Sequence, residues 1–351
     1  MRTSYDVVVA GGGPAGSAAA LRLARAGYSV AILERSNYDR PRLGETLPPA
    51  VKTKLAQLGL WDAFIGLGPA NSPAIHSAWG SEALHEQDHF YNPYGAGWHI
   101  DRTRFDRMLA SSAQNAGAEL ITGARVGPVE CDDSSVRIGG LRARVILDAT
   151  GRASAVARRF GVRRILTDKL VAVAGFFAPS LNVRFSPVTL VEAVENGWWY
   201  SAALPDGRLV VAWMTDADLY ARAGEWLDQI GRTVHTRERI RSAALVSGPV
   251  TAQAGSSRLE RLHGSNWLAA GDAAVAFDPV AGQGIYRALE SGILAGDAAM
   301  DLLAGSQEQL GKYESGVSRT FTRFLELRQV FYSLETRWPN SVFWRRRSAA
   351  A

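Results

Sequence analysis

The chain has 351 residues, 47% of them hydrophobic and 21% charged, the balance of a folded globular protein long enough for one large domain or two. Its net charge of +5 is carried by arginine, since only four of the 39 basic residues are lysine. No basic stripe interleaved with aromatics marks a nucleic-acid surface. The single cysteine, Cys131, excludes an intrachain disulfide and a cysteine-based metal cluster, and the six histidines lack ligand spacing.

In chain order, Tyr5 to Ala10 is a short Val-rich run that reads as a buried strand. Gly11, Gly13 and Gly16 follow as G-x-G-x-x-G, and Ser17 to Ala26 reads as a helix ended by Gly27. Tyr28 to Leu33 is a second strand that closes on Glu34. In this strand–turn–helix–strand unit, Gly11 permits the tight turn, Gly13 lets a pyrophosphate approach, and Gly16 lets helix and sheet pack closely. The helix N-terminus favours phosphate, and Glu34 stands where a carboxylate takes the ribose hydroxyls of an adenosine. The glycines interrupt the alanine-rich start, so it reads as fold rather than secretion signal, and no apolar run approaches the roughly 18 residues of a membrane span. A cytoplasmic protein is expected.

Ser36 to Pro49 reads as a loop, Ala50 to Leu58 as a helix, and Leu60 to Ala74 as irregular. Ile75 to Gly80 alternates like a strand. Phe90 to Trp98 is rich in aromatics and glycine. Asp101 to Gly117 is expected to be a helix, Ala118 to Arg125 a strand, 126–140 a hairpin, and Arg142 to Ala149 a strand returning to the first unit. From Val171 to Thr215 the pattern is strands, with Asp206-Gly207 as a hairpin turn. Asp216 to Ile230 and Thr236 to Ala244 look helical. Trp267 to Ala270 is a short strand before Gly271-Asp272. Helices are expected over Gly284 to Leu303 and from Glu308 to about Glu335. The end, RWPNSVFWRRR, is aromatic and arginine-rich.

Three stretches combine: Gly11-x-Gly13-x-x-Gly16 with Glu34; Asp148-Ala-Thr-Gly151-Arg152-x-Ser154; and Gly271-Asp272 followed by Ala281-Gly282-Gln283-Gly284. Together they resemble the superfamily of FAD-dependent monooxygenases, halogenases and geranylgeranyl reductases, with its glutathione-reductase-like FAD fold. The resemblance implies an α/β protein: a Rossmann-like FAD-binding domain from residues 1–70, 98–165 and 258–305, a sheet-based substrate domain from 71–97 and 166–257, and a C-terminal helix and tail over 306–351. It implies FAD contacts from Gly11, Gly13, Pro14, Ala15, Gly16, Glu34, Arg35, Arg42, Glu45, Thr46, Arg102, Val126, Gly271, Asp272, Pro279, Gly282, Gly284 and Ile285. Among these, Asp272 matches the aspartate of the ribityl chain, Gly282 to Ile285 the turn at the isoalloxazine edge, and Arg102 an arginine supporting the diphosphate.

Within the superfamily, the middle motif lacks the Asp-Gly of single-component hydroxylases, and no second G-x-G-x-x-G is present. This favours reduction by a separate flavin reductase, with NAD(P)H as the other external source and O2 as oxidant. GWWYSAALP (197–205) is similar to the tryptophan-rich motif of flavin halogenases. Those enzymes need a lysine after a Gly-Glu-x-x-x-Pro stretch, here Gly44 to Pro49; lysine occurs only at 52, 54, 169 and 312, and Ser72 or its neighbours stand at that place. A halogenase is therefore disfavoured. The strings LGETLPP, GWHIDRTRFD, GWWYSAALPDGR and FYSLETRWPNSVFWRRR look like the small flavoproteins required for tryptophylquinone cofactor biogenesis of bacterial amine dehydrogenases and amino-acid oxidases. That likeness implies hydroxylation, through a flavin C4a-hydroperoxide, of an aromatic small molecule or of a tryptophan in a partner polypeptide. An isoprenoid reductase, and a maturation factor in which FAD is structural, are the alternatives. Trp79, Trp98, Trp198, Trp199 and Tyr200 are candidate pocket walls, His99 the acid/base candidate, and the arginine-rich tail a surface that would steer an acidic partner.

Overall fold

The computed structural model describes residues 2–131 and 135–348. Its first sheet runs in the order Glu119–Ile121, Val30–Leu33, Ser4–Ala10, Leu141–Asp148, Val136–Ile138, Val129–Cys131, with Trp267–Ala269 also paired to Leu141–Asp148. The pairs at its centre are parallel. A parallel sheet must be covered on both faces, and its strands are accordingly buried along nearly their whole length. Helices Pro14–Arg25, Arg102–Asn115 and Gly284–Leu303 supply one apolar layer, around Val7, Val9, Leu23, Phe105 and Leu289. The hairpin expected over 126–140 is present as Val129–Cys131 against Val136–Ile138, while its tip, 132–134, lies outside the described residues.

The second sheet has the order Ala243–Gln253, Leu170–Pro179, Leu209–Asp216, Gly197–Ala203, Thr189–Val194, Ala74–Ala78, His85–Asp88. It is antiparallel except between Thr189–Val194 and Ala74–Ala78. A small three-stranded sheet of Thr46–Leu47, Gly97–His99 and Ala70–Ser72 lies between chain segments of the two halves. Helix Glu308–Ser333 and helix Val342–Ser348 complete the chain.

Three local expectations change. The stretch 60–74 read as irregular holds helix Trp61–Gly66 and strand Ala70–Ser72; Phe64 packs edge-on to Trp98 and Phe105, a tertiary contact that local sequence does not advertise. The helix read over 216–230 is two short ones, Ala217–Tyr220 and Trp226–Ile230, with Gly224 at φ +77° between them. The helix read over 236–244 ends at Arg239 and gives way to the eleven-residue strand Ala243–Gln253, held by Leu170–Pro179.

Candidate active site

Gly11 has φ +107°, and a Cβ there would collide with the Ala149 carbonyl; one on Gly16 would collide with the Gly11 carbonyl. Gly13 differs, because a Cβ there would meet nothing within 4 Å. The loop is thus closed against the sheet and open where a diphosphate belongs. Helix Pro14–Arg25 starts with no side-chain cap, so its first N–H groups stay available. The same holds for helix Gly284–Leu303, preceded by Gly282 at φ +60°, where again neither Gly282 nor Gly284 has a neighbour within 4 Å of a Cβ. Gly292 abuts the Ala15 backbone, Gly296 lies by Ala19, and Arg22 pairs with Asp297 at 2.9 Å. The two helices therefore run side by side in one direction, and their uncapped N-termini open at the same end of the molecule. One end suits a diphosphate and the other the negative charge of a reduced isoalloxazine. The residues present fit FAD.

Glu34 is buried and hydrogen-bonded at both oxygens. Its Oε2 accepts from Gly12 N at 2.8 Å; its Oε1 accepts from Ser36 N at 3.0 Å, Ser36 Oγ at 2.6 Å and Arg42 Nη2 at 2.9 Å. Burial pushes its pKa up, but the Ser36 and Gly12 hydrogen bonds and the Arg42 charge outweigh that and hold it low. Arg42 continues to buried Asp106 at 3.0 Å, which also takes Arg102 Nη2 at 3.1 Å. Arg102 donates to the Leu43 carbonyl at 2.6 Å, fixing the loop before Glu45. Tyr38, which sequence reasoning passed over, donates to the Gly12 carbonyl at 2.8 Å. Arg35 is exposed, and Val126 packs half-buried on the first sheet's second core layer.

On the other side, Gly271 N donates to Ser291 Oγ at 2.9 Å, and the partly exposed Asp272 faces Arg152 at 3.5 Å. Asp148 serves structure: its carboxylate accepts from Thr150 N and Oγ1 and from the N–H groups of Val156 and Ala157, capping the next helix. Asp278, just before Pro279, is fully buried. It accepts from Val280 N at 3.0 Å, Arg328 Nε at 2.8 Å and the Tyr332 hydroxyl at 2.9 Å. Tyr332 in turn accepts from Trp198 Nε1 at 3.0 Å. The Pro279–Gly284 turn is thus tied to the C-terminal helix and to the second sheet through one carboxylate, a link between residues too far apart in sequence to be read from it.

The small sheet brings Thr46 opposite His99. Thr46 Oγ1 lies 2.5 Å from the Tyr200 hydroxyl, and His99 Nε2 lies 2.8 Å from Thr189 Oγ1, itself 3.4 Å from Ser72 Oγ. Burial, with the neighbouring Arg239 charge, pulls the His99 pKa down to about 4. That shift favours the neutral imidazole, whose Nε2 is engaged with Thr189 Oγ1. Glu45 is the contrasting case. Burial raises its pKa to about 7, and its Oε1 is buried without a partner, while Oε2 accepts from Gly44 N at 3.0 Å.

The five aromatics do not line one cavity, because strand residues alternate faces. Trp198 packs with Trp79, Tyr332 and Trp344 on one face of the second sheet. Trp199 stacks on Trp213 at 5.7 Å on the opposite face, with Trp226. Trp98 belongs to the first core, edge-on to Phe64 at 5.7 Å and Trp61 at 5.9 Å. Tyr200 reaches across from the second sheet to Thr46 in the cofactor segment. The tail reading also changes: Phe343 and Trp344 are buried, Arg347 pairs with Asp216 at 2.5 Å, and Arg346 pairs with Asp218 at 2.9 Å. Arg347 is thus neutralised in the interior, while Arg346 pairs with Asp218 at the surface and Arg345 is exposed. No helix among the described residues is long and apolar enough to cross a membrane.

Residues 4–325 match the family described as FAD binding domain. A Marinomonas mediterranea protein named FAD-dependent oxidoreductase LodB is 29% identical, over 99% of this chain and 97% of its own. The tryptophan 2-halogenase of Chondromyces crocatus is 25% identical, over 97% of this chain and 70% of its own. Among solved structures, the myxobacterial chondrochloren halogenase CndH superposes with a TM-score of 0.90 at 26% identity, covering 99% of this chain and 87% of that one. The family match runs through the glycine loop, the Glu34 network and the Gly282 turn alike, and the chain belongs to the FAD-binding family of flavin-dependent oxidoreductases.

Proposed function

We propose that the protein is a flavin-dependent monooxygenase that hydroxylates an electron-rich, tryptophan-like aromatic, presented on a partner polypeptide during quinone-cofactor maturation. In this reading segments 1–70, 98–165 and 258–305 hold FAD, and segments 71–97 and 166–257 meet the substrate. The observation that carries it is the buried seam where the small sheet meets the second sheet: Thr46–Tyr200 and Ser72–Thr189–His99 supply hydroxyls and a neutral imidazole there, and no lysine. Lys52 lies over Trp61, Lys54 pairs with Glu290, Lys312 pairs with Glu308, and Lys169 is exposed. A site that relays hypohalous acid through an ammonium has no such group to use.

When bound and reduced, FAD supplies oxygen activation. The chain's own work is to hold it by the two helix N-termini and the Glu34 network, to keep water from the seam, and to manage a proton. On hydroxylation the ring carbon gains a C–O bond and gives up its proton. Glu45 is the carboxyl whose burial tunes it to exchange a proton near neutrality. The relatives named as halogenases favour halide oxidation as a second reading.

The test is to supply the purified protein with FAD, a separate flavin reductase, NADH, O2 and bromide, together with free indoles or tryptophan peptides. Gain of one oxygen on the aromatic supports the proposal. Gain of bromine establishes the second reading, and neither product with any substrate leaves a maturation factor or a reductase.

A further inference from the structure

The second sheet ends in an open strand, His85–Asp88, all four residues of which are exposed and whose outer edge carries no strand among the described residues. Such an edge is a template for another chain, and proteins blunt it with proline, a bulge, charge or shortness. This one has no proline and no register shift against Ala74–Ala78, but it is only four residues long and carries Glu86, 3.7 Å from His76, and Asp88, which accepts from Phe90 N, so its charge restricts which chain can add to it. Immediately after it, Phe90 is 80% exposed and Tyr91 92% exposed, packed edge-on against each other at 5.1 Å, and Leu84 and Tyr94 add further exposed apolar surface. Large apolar residues gathered in one short exposed stretch mark an interaction site rather than scatter. The charge is equally local. Residues 81–97 hold Glu82, Glu86 and Asp88 and no lysine or arginine, in a chain whose net charge is +5.

The edge is also close to the seam. Across the sheet, Gln87 lies opposite Ile75, and Ile75 opposite Thr189, the residue that holds His99. Two interstrand spacings amount to about 10 Å, and an added strand would lie about 14 Å from Thr189. The chain then returns from the exposed aromatics directly into Gly97–His99. The sheet's opposite edge, Ala243–Gln253, is a poorer template. It is interrupted by Pro249 and two register shifts and stands four strands beyond Thr189–Val194.

We infer that His85–Asp88, with Phe90 and Tyr91, is the docking edge for an extended, basic segment of the tryptophan-bearing polypeptide, which adds to the sheet as an eighth strand. This rests on the polypeptide reading above and gives it a place. Main-chain pairing supplies affinity, and Glu86 and Asp88 select lysine- or arginine-rich segments.

The test uses the FAD-loaded full chain and two fluorescein-labelled synthetic peptides with a central tryptophan, one flanked by lysines and one by aspartates. The lysine peptide is expected to bind at least roughly ten-fold more tightly, and less tightly as salt rises. Glu86→Lys, Asp88→Lys and Tyr91→Ala together should abolish that preference and leave the FAD absorbance unchanged. Equal binding of the two peptides, binding unaffected by the triple change, or a dimer that the triple change dissociates would overturn the assignment. If the lysine peptide docks at this edge but no peptide is ever hydroxylated, the reaction proposed above fails while the surface stands. If peptides are hydroxylated as efficiently by the triple variant, the surface fails and the reaction stands.

Discussion

Tyr332→Phe removes one oxygen from the centre of the molecule. That oxygen accepts from Trp198 Nε1 at 3.0 Å and donates to Asp278 Oδ2 at 2.9 Å, and the residue is fully buried. The variant leaves the Trp198 N–H buried without an acceptor, a loss of about 1–3 kcal/mol, and deletes a hydrogen bond to a charged group whose carboxylate keeps Arg328 and Val280 N. The two effects share one atom and do not add in full, so about 2–4 kcal/mol is expected. Tyr313→Phe is the internal control. Its hydroxyl is as deeply buried but donates to a neutral acceptor, the Ala269 carbonyl at 2.6 Å, and lies 3.0 Å from Ser291 Oγ. That variant should cost about 1–2 kcal/mol. Urea unfolding of both variants, with and without FAD, measures the difference. Because Asp278 caps the turn before Gly282, Tyr332→Phe should also weaken FAD retention and shift the visible spectrum of the bound flavin. A Tyr332→Phe protein no less stable than Tyr313→Phe, with an unaltered flavin spectrum, would refute the junction.

Glu34→Ala opens the carboxylate that joins Gly12, Ser36 and Arg42, and FAD should be lost on dilution that the wild type survives; full retention would count against the adenosine role of Glu34. NADH or NADPH alone should reduce the bound flavin slowly, and a separate reductase with free flavin should speed bleaching; rapid, saturable reduction by either nucleotide, followed by stopped flow, would exclude the two-component reading. Glu45 gives a stability signature with a definite sign. Its folded pKa lies above its unfolded one, from 4.5 to about 7, so the folded state holds the extra proton and stability falls as pH rises through that window. The Glu45 contribution is about 3 kcal/mol, and buried His99, with its pKa lowered to about 4, contributes the opposite trend over nearly the same window. The loss is therefore read as the difference between the wild-type and Glu45→Gln stability curves from about pH 4.5 to 7.5, and parallel curves would show that the carboxyl is not held protonated.

The parts of this protein that were legible in sequence are those in which one short stretch contains its own physical reason. A glycine at φ +107° beneath a carbonyl, a second glycine with open space beside it, and an acid at the end of the next strand need only about thirty residues to declare themselves. Helix Gly284–Leu303 was readable to the residue because glycine opens it and its apolar stripe is continuous. The aromatic strand was legible as a strand but not in its consequences. Alternation is local information, yet which face meets the cofactor side depends on Thr46 reaching Tyr200 across the chain. The same limit explains Trp61–Gly66, which forms a helix because Trp98 and Phe105 wait for its aromatics. It explains the tail most clearly. As sequence, Arg345, Arg346 and Arg347 are a cationic end; in the fold, Asp216 and Asp218 at the far end of a strand neutralise two of them. Charge that is spent on internal pairing cannot also steer a partner. The acidic, aromatic stretch 81–97 at the free edge of the same sheet carries no such pairing with the tail among the described residues, and a basic partner is inferred to dock there.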